Sequence, residues 1–528
     1  MLSETFVRRV EQVFKTAVTA CALAAVAACA FVIFKRIAYP YGLEWCESLM
    51  LHAVGRVLEG QNLYVKPSVE YASIEYTPLY VYASAAASLL TGPGFLPLRL
   101  VSLGATLAVI ALIYLFVRKE TGNRWFALIA IGLFAALYGH VQGWFDLARI
   151  DMLFLAFLAG AVYVLRFHPE GCWSAVTAGF LFFLSWFTKQ SVSFMILPLL
   201  AYLMLIRPRQ ALTTIAVFGG SIAAAVLAYN FWTGGWFWFY TFELLTQQKL
   251  TPEHWLGFWK KDVFGSTAIL VAASVVSGFR GPRSDKGRFF CLFLLAGLLA
   301  GCWMSRLHWG SGINSLLPVY VFCIIGFVVW SHEVLKQSAG LSPNRSLPCL
   351  VLVFSLLLGQ FYSLRYHCNT YIPTEHARRQ GNALVDLIAS IEGDVFMPAE
   401  TSLPYFAGKP QYADHVLMLD LFQGTDTAKI NELHDQLRQT FQSGRISAII
   451  MTNERPYIAL FKDYYVKLQC GLIESAAYQI YVKKEIEPTL GKRLSAVLPI
   501  KFDQRREKLH EQSGQANPPE QDFQSSVE

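Results

Sequence analysis

Charged side chains are scarce in this chain. Asp, Glu, Lys and Arg together make up 15% of the 528 residues, whereas a typical soluble domain contains roughly 25%. Hydrophobic residues account for 54% of the sequence. A soluble globular enzyme is therefore excluded.

Strict alternation of apolar and polar residues is also lacking, which excludes an outer-membrane barrel. Uncharged runs of about 17 to 22 residues occur instead, and each is long enough for a helix to cross a roughly 30 Å hydrocarbon core. We predict an all-α polytopic membrane bundle of about eleven transmembrane helices. They are expected at residues 16–34, 97–117, 125–140, 150–166, 172–188, 191–206, 211–232, 263–280, 288–305, 315–331 and 347–363.

The ten cysteines include no CxxC pair and no cluster with histidine, which argues against a zinc site or a disulfide framework. Most lie inside apolar runs and are interpreted as small buried hydrophobes. Cys368 and Cys470 fall in a polar region, where they would pair only in an oxidising compartment. The N-terminal apolar stretch is longer than a signal peptide, so we interpret it as a retained first helix.

An odd number of crossings places the two chain ends on opposite sides of the membrane. If the N-terminus is inside, the short inner loops are basic, as the positive-inside rule requires; Lys35 and Arg36 argue against this orientation. We predict an integral, multi-pass protein of the cell (inner) membrane with a cytoplasmic N-terminus. The net charge of +7 reflects the loop bias and calls for no nucleic-acid partner. The basic residues of the inner loops are Arg118, Lys119, Arg124, Arg207, Arg209, Arg280, Arg283, Lys286 and Arg288.

The polar remainder after the last span is predicted to be a small extracytoplasmic α/β domain. Its periodicity indicates helices at 374–391 and 428–441 and strands at 394–397, 446–451, 468–473 and 478–482. Residues 501–528 contain few apolar side chains and are predicted to be disordered. The expected division is therefore a membrane domain at 1–365, with a first outer loop at about 35–96, an α/β domain at 366–500, and the tail.

The first outer loop is long for a compact bundle, and long loops are often functional. Glu44 and Glu47 stand three residues apart and would share one face of a helix. A carboxylate held near the membrane against apolar groups has the raised pKa that a general base needs. The alternative is that both glutamates are simply solvated.

An apolar stretch from Leu79 to Leu90 follows in the same loop. Gly92, Pro93 and Gly94 interrupt the chain after it, which favours a helix lying in the membrane interface. If this stretch were instead a span, the number of crossings would be even and the C-terminal region would lie inside.

The next outer turn carries Asp146, Arg149 and Asp151 at the mouth of an uncharged helix. Such charges are costly unless paired or functional. Asp146 and Arg149 could neutralise each other, whereas Asp151 needs another partner or a cation. Lys189 with Gln190 follows the fifth span, where the lysine could bind a phosphate or merely reach the interface. Later outer loops carry Lys260, Lys261, Arg306, His308 and Asn314 among many tryptophans, for which an interfacial belt is the simpler interpretation.

The order of these features resembles the GT-C superfamily of polytopic glycosyltransferases, in particular the bacterial relatives of protein O-mannosyltransferases and of lipid A aminoarabinose transferases. The resemblance covers about residues 44–206 and continues more weakly to Trp232. The matching motifs are Cys46-Glu47 with Arg56-Val57-Leu58-Glu59-Gly60, Thr77-Pro78-Leu79-Tyr80, Pro97-Leu98-Arg99-Leu100, Ala148-Arg149-Ile150-Asp151, and Phe187-Thr188-Lys189-Gln190.

The resemblance implies transfer of a hexosyl or pentosyl group, with inversion, from a polyprenyl-phosphate-linked sugar to a lipid, glycan or protein acceptor at the outer face. By position, Glu47 would activate the acceptor hydroxyl, and Glu44 would substitute for the acidic residue that is Cys46 here. Residues implied to bind the donor phosphate or an associated cation are Arg149, Asp151, Lys189 and Asp146. Supporting residues are Arg56, Tyr76, Gln190 and His308. A divalent cation is one option for the cofactor, with Asp151 and Glu47 as ligands.

Other functions are compatible with a polytopic chain. A transporter or flippase of lipid-linked sugars would need charges near the bilayer midplane, broken helices and repeated halves; the sequence shows no internal repeat. A polymerase or ligase of the O-antigen type would carry its large polar loop between late spans. A non-catalytic assembly protein would use only the C-terminal region.

Overall fold

The computed structural model describes residues 3–169, 171–280, 288–451, 457–467 and 479–483. The first part of the chain forms a helical bundle. Each of the eleven expected spans corresponds to one helix, because each uncharged run satisfies its backbone hydrogen bonds internally. These helices are α1 (Glu4–Arg36), α4 (Phe95–Thr121), α5 (Arg124–His140), α6 (Asp151–Phe167), α7 (Cys172–Trp186), α8 (Val192–Ile206), α9 (Pro208–Trp232), α13 (Ala268–Arg280), α14 (Arg288–Leu307), α15 (Leu317–Ser338) and α16 (Pro343–Ser363).

Within the described residues, six helices are long and apolar enough to cross a membrane. These six segments correspond to α1, α4, α9, α14, α15 and α16, and the other apolar helices of the bundle are shorter. The prediction of a polytopic helical membrane protein is confirmed.

Two helices of the first loop pack against the bundle: α2 (Glu47–Leu58) and α3 (Leu79–Thr91). The helix predicted at 79–90 is thus present, and Gly92, with a φ of 83°, follows its end. Short helices connect α9 to α13, namely α10 (Trp236–Trp238), α11 (Leu244–Gln247) and α12 (Glu253–Gly257), with π-helical turns at Phe239–Glu243 and Phe258–Val263.

A four-stranded sheet with helices follows the bundle. Its strands run in the order β1 (Asp394–Phe396), β2 (Ile446–Met451), β4 (Gln479–Lys483), β3 (Tyr465–Lys467). The β1–β2 pair is parallel and the other two pairs are antiparallel. The helices are α17 (Glu375–Ser390), α18 (Ser402–Phe406), α19 (His415–Phe422), α20 (Thr427–Gln442) and α21 (Ile458–Phe461).

The α/β character predicted for this region is confirmed, although the pattern did not indicate α18, α19, α21 or β3. The expected strand at 468–473, Cys470 and the tail at 501–528 lie outside the described residues. The boundary expected at residue 365 stays a prediction.

The sheet region lies against the first loop. The amide of Ala413 donates to the Val69 carbonyl oxygen at 2.9 Å, and the Ser48 hydroxyl donates to Glu400 Oε2 at 3.2 Å. The first loop is therefore enclosed between the bundle and the C-terminal region.

Candidate active site

Glu47 is fully buried at the first turn of α2, where a carboxylate is favoured by the exposed amides of a helix start. Its Oε1 accepts from Arg99 Nε at 3.0 Å and from the Ala148 amide at 2.6 Å. Its Oε2 accepts from Arg99 Nη2 at 2.7 Å and from the Leu43 amide at 2.6 Å. Burial favours the neutral acid, but the Arg99 guanidinium and these amides outweigh it and hold the pKa of Glu47 below its ordinary value. Both carboxylate oxygens are thus occupied by the protein itself.

The spacing predicted that Glu44 and Glu47 share a helix, but this is not what the structure shows. Helix α2 begins only at Glu47, so Glu44 lies before it. Its Oε2 accepts from the Cys46 amide at 3.1 Å and lies 3.6 Å from Arg149 Nη1. Its Oε1 is buried without a hydrogen-bond partner. Burial raises the pKa of Glu44 to about 7, against the opposing charge of Arg149.

Arg149 lies on the turn between α5 and α6, and Nε and Nη1 of its guanidinium are buried without hydrogen-bond partners. Its guanidinium stands 5.1 Å from the centre of the Trp144 ring. The carbonyl oxygen of Arg149 accepts from the Ser102 hydroxyl at 3.1 Å, which fixes the turn to α4. Arg149 is therefore a positioned cation with open donors.

Asp151 opens α6 and meets Lys189, which follows α7. Lys189 Nζ lies 2.9 Å from Asp151 Oδ1, and Asn314 Nδ2 donates to the same oxygen at 3.1 Å. Asp151 Oδ2 is buried with no partner. The partner that the sequence could not supply for Asp151 is thus a lysine 38 positions later.

Asp146 is not paired with Arg149, so the predicted alternative that these two residues neutralise each other is wrong. It is fully buried and accepts from Arg36 at 2.9 Å (Nε) and 2.6 Å (Nη2) and from the Tyr138 hydroxyl at 3.0 Å. Arg36, the last residue of α1, is buried for this reason. Its charge therefore belongs to a structural ion pair and carries little information about orientation.

The supporting residues are distributed around the site. Tyr76 is placed so that the charges of Arg149 and Asp151 act on its hydroxyl. Gln190 Nε2 donates to the carbonyl oxygens of Glu75 at 2.7 Å and Thr241 at 3.1 Å.

Two of the expected residues lie away from the Glu44 and Arg149 side chains. Arg56 donates to the Asn62 carbonyl oxygen and stacks 4.0 Å from the Tyr71 ring centre. His308 forms a backbone bridge with Leu250. Within the described part of the chain, no hydrogen bond or ion pair joins either of them to Glu44 or Arg149.

Asp414 is a site residue that the sequence pattern did not indicate. It is 3% exposed, and its Oδ1 caps α19 by accepting from the Val416 amide at 2.9 Å, while Oδ2 is buried without a partner. Burial raises the pKa of Asp414 to about 8, and the charges of Glu400 and Glu44 add to this. An aspartate before the apolar stretch at 415–422 is a helix-cap signal, but nothing local indicates its proximity to Glu44.

The donor set fits a divalent cation poorly. Glu47 is saturated by Arg99 and two amides, and Asp151 already faces Lys189. Within the described ranges, no three His, Cys, Asp or Glu side chains gather as a metal site would require. The cluster is instead an arrangement of fixed anions and cations with open hydrogen-bonding positions, which suits a ligand that carries both hydroxyl and phosphate groups.

Comparison with known proteins finds a matching family model and, separately, solved structures with the same fold. Residues 75–232 match the family model of dolichyl-phosphate-mannose-protein mannosyltransferases. No curated protein sequence matches the chain.

Solved structures share the fold. ArnT from Cupriavidus metallidurans bound to undecaprenyl phosphate superimposes with a TM-score of 0.57 at 12% identity, covering 87% of this chain and 97% of that one. The archaeal oligosaccharyltransferase AglB from Archaeoglobus fulgidus, in complex with an inhibitory peptide and a dolichol-phosphate, gives a TM-score of 0.53 at 12% identity, covering 84% and 72%. The resemblance predicted from the motifs is confirmed: residues 75–232 match a glycosyltransferase family model, and the chain shares its fold with ArnT and AglB.

Proposed function

We propose that the protein transfers a sugar from a polyprenyl-phosphate-linked donor to an acceptor hydroxyl. The observation that carries this proposal is the buried pair of Glu44 and Arg149, each of which keeps polar atoms without a protein partner. Buried polar groups are rarely left without a hydrogen-bond partner. The undecaprenyl phosphate bound to ArnT and the dolichol-phosphate bound to AglB support a lipid phosphate as that ligand.

Glu44 is the proposed general base, in place of Glu47. A base needs a free oxygen within reach of the acceptor hydroxyl and a pKa near the working pH, and Glu44 has both. Glu47 offers no free oxygen, and we assign it the role of fixing Arg99, the Leu43 amide and the turn at Ala148.

In the proposed reaction, the acceptor oxygen forms the bond to the anomeric carbon and its proton passes to Glu44. The bond from that carbon to the phosphate oxygen breaks, and the electron pair leaves with the lipid phosphate. We assign to Arg149 and Lys189 the compensation of the negative charge that grows on the leaving phosphate. Attack from the face opposite the leaving phosphate inverts the anomeric centre, and the transferred group is a hexose or a pentose.

The reaction is proposed to take place at the outer face of the inner membrane, with the N-terminus cytoplasmic. The ends of α1, α5 and α7 and the starts of α4, α6 and α8 meet at this site because successive spans are antiparallel. The basic residues between α4 and α5 and between α8 and α9 lie at the opposite helix ends, which agrees with the positive-inside rule. The acceptor, whether lipid, glycan or protein, would approach between the first loop and the C-terminal region.

The test uses the purified full-length protein in bilayer nanodiscs with undecaprenyl-phosphate mannose, glucose or galactose and a lipid extract as acceptor. Release of undecaprenyl phosphate measures transfer. We expect Glu44→Gln to lower the rate by about 10²- to 10⁴-fold, the usual contribution of a general base. Glu59→Gln, at an exposed position of the same loop, is the matched control.

Full activity of Glu44→Gln would contradict its assignment as the base. Passage of intact glycolipid across the bilayer without release of undecaprenyl phosphate would instead favour the transporter alternative. Mass spectrometry of lipid-linked glycans in cells lacking the protein would identify the sugar and the acceptor, since the unused donor would accumulate.

A further inference from the structure

Asn314 contacts the site although it comes from a late loop of the chain. It belongs to the 3₁₀ turn Ile313–Leu316, which joins the loop after α14 to the start of α15. Asn314 is 8% exposed, and its Nδ2 donates to Asp151 Oδ1 at 3.1 Å. The interfacial belt expected for the late outer loops therefore does not describe Asn314, which is bound to a buried carboxylate.

The same carboxylate oxygen also meets Lys189. Lys189 Nζ lies 2.9 Å from Asp151 Oδ1, so an ammonium and an amide share one oxygen atom. Asp151 is only 3% exposed, which leaves little room for water to replace either donor. The amide N–H brings a partial positive charge to the carboxylate, and this offsets part of the attraction between the carboxylate and the ammonium.

The role proposed for Lys189 makes this offset important. The ammonium is to compensate the lipid phosphate, but Asp151 is a second anion that competes for the same charge. An ammonium has three donors, and at least one of those of Lys189 is directed at Asp151. The more strongly Asp151 attracts Lys189, the weaker a phosphate can bind beside it.

The turn holds the Asn314 amide in a defined place. The Ser315 hydroxyl donates to the Gly312 carbonyl oxygen at 2.9 Å, and the Ser315 amide donates to the same oxygen at 3.2 Å. A Cβ atom at Gly312 would come within 2.8 Å of Asn314 Oδ1, which is closer than non-bonded atoms approach. Glycine at position 312 therefore leaves the space that the Asn314 amide occupies.

We infer that Asn314 is a positioning residue: by donating to Asp151, it weakens the hold of this carboxylate on Lys189 and leaves the ammonium available to the lipid phosphate. The inference rests on the proposed function and adds to it a residue that needs no contact with the donor. Asn314 acts through Asp151 and takes no part in bond making.

The experiment measures the affinity of undecaprenyl phosphate by calorimetry on the full chain in detergent, so neither the sugar nor the acceptor has to be known. Asn314→Leu removes the hydrogen bond to Asp151 at similar volume. It also removes Oδ1, which is buried without a partner, so the cost to folding is small. Ser315→Ala is the matched control, because it removes a hydrogen bond of the same turn and leaves the amide of Asn314 in place.

We expect Asn314→Leu to weaken the binding of undecaprenyl phosphate by about 3- to 10-fold, as loss of one hydrogen bond does. Ser315→Ala should bind as the wild type does. In an Asp151→Asn background no carboxylate competes for Lys189, so adding Asn314→Leu should weaken binding no further. This non-additivity distinguishes an effect through Asp151 from a general effect on the loop.

Gly312→Ala tests the same inference with Asn314 still in the chain. The added Cβ atom displaces the amide of Asn314, so binding should weaken as it does in Asn314→Leu. If Asp151→Asn does not fold, the comparison of Gly312→Ala and Asn314→Leu with Ser315→Ala decides the question.

Three results would overturn the inference: wild-type affinity in Asn314→Leu, the same loss of affinity with and without the Asp151 carboxylate, or a loss in Ser315→Ala as large as in Asn314→Leu. If the wild type still transfers a sugar in any of these cases, the proposed function survives and only the role of Asn314 fails. A wild type that neither binds undecaprenyl phosphate nor transfers a sugar refutes both.

Discussion

Replacing Glu47 by Gln should damage the fold, whereas the same change at Glu44 should not. The Glu47 carboxylate is fully buried and accepts two hydrogen bonds from Arg99 and one from each of the Leu43 and Ala148 amides. In Gln, one of the two oxygens becomes an NH₂ group that faces donors, and the buried Arg99 loses its counter-charge. Breaking a buried ion pair in this way costs about 3–5 kcal/mol.

Glu44 provides the isosteric control. Because burial raises its pKa to about 7, most Glu44 side chains are protonated at pH 6, and Gln reproduces that neutral state. We therefore expect Glu44→Gln to change the free energy of unfolding by less than about 1 kcal/mol at pH 6.

The assay is equilibrium unfolding in mixed micelles, followed by the fluorescence of the 13 tryptophans. A Glu47→Gln variant that unfolds at the wild-type denaturant concentration and retains transfer activity would refute the structural role of Glu47. A Glu44→Gln variant that loses as much stability as Glu47→Gln would refute the distinction between the two carboxylates, since both would then have the same structural role.

Two further predictions concern pH and the contact between the first loop and the C-terminal region. The transfer rate should fall as the pH is lowered through about 7, because protonation of Glu44 removes the base; a rate profile from pH 5.5 to 8.5 that stays flat would contradict this. The exposed ion pair of Lys66 with Glu432, 2.5 Å apart, should contribute less than about 1 kcal/mol, so Lys66→Ala should unfold almost as the wild type does, and a loss above about 2 kcal/mol would show that this contact holds the two parts together.

The helices of the bundle can be predicted from the sequence because a spanning segment must form all its backbone hydrogen bonds internally and tolerates few charges. That constraint is local, and all eleven predicted runs are helices. The helices α18 and α19 were not predicted because they are too short to show a recognisable hydrophobic periodicity.

The roles of the site residues could not be read in the same way. Glu44 and Glu47 differ little in sequence context, yet Arg99, 52 positions after Glu47, neutralises only Glu47. Likewise, Asp146 lies three positions from Arg149 but pairs with Arg36. Which carboxylate is structural and which is open depends on helix packing, and spacing along the chain does not contain that information.

The position of Asp414 has a consequence for biosynthesis. Its carboxyl group acts on Glu44 across 370 residues of sequence, so this part of the site is translated after every helix of the bundle. Contacts between residues so far apart in the chain form late in folding. A nascent chain that has inserted α1 to α16 still lacks Asp414 beside Glu44, and under the proposed function we expect it to become competent for transfer only when the sheet region has folded onto the first loop.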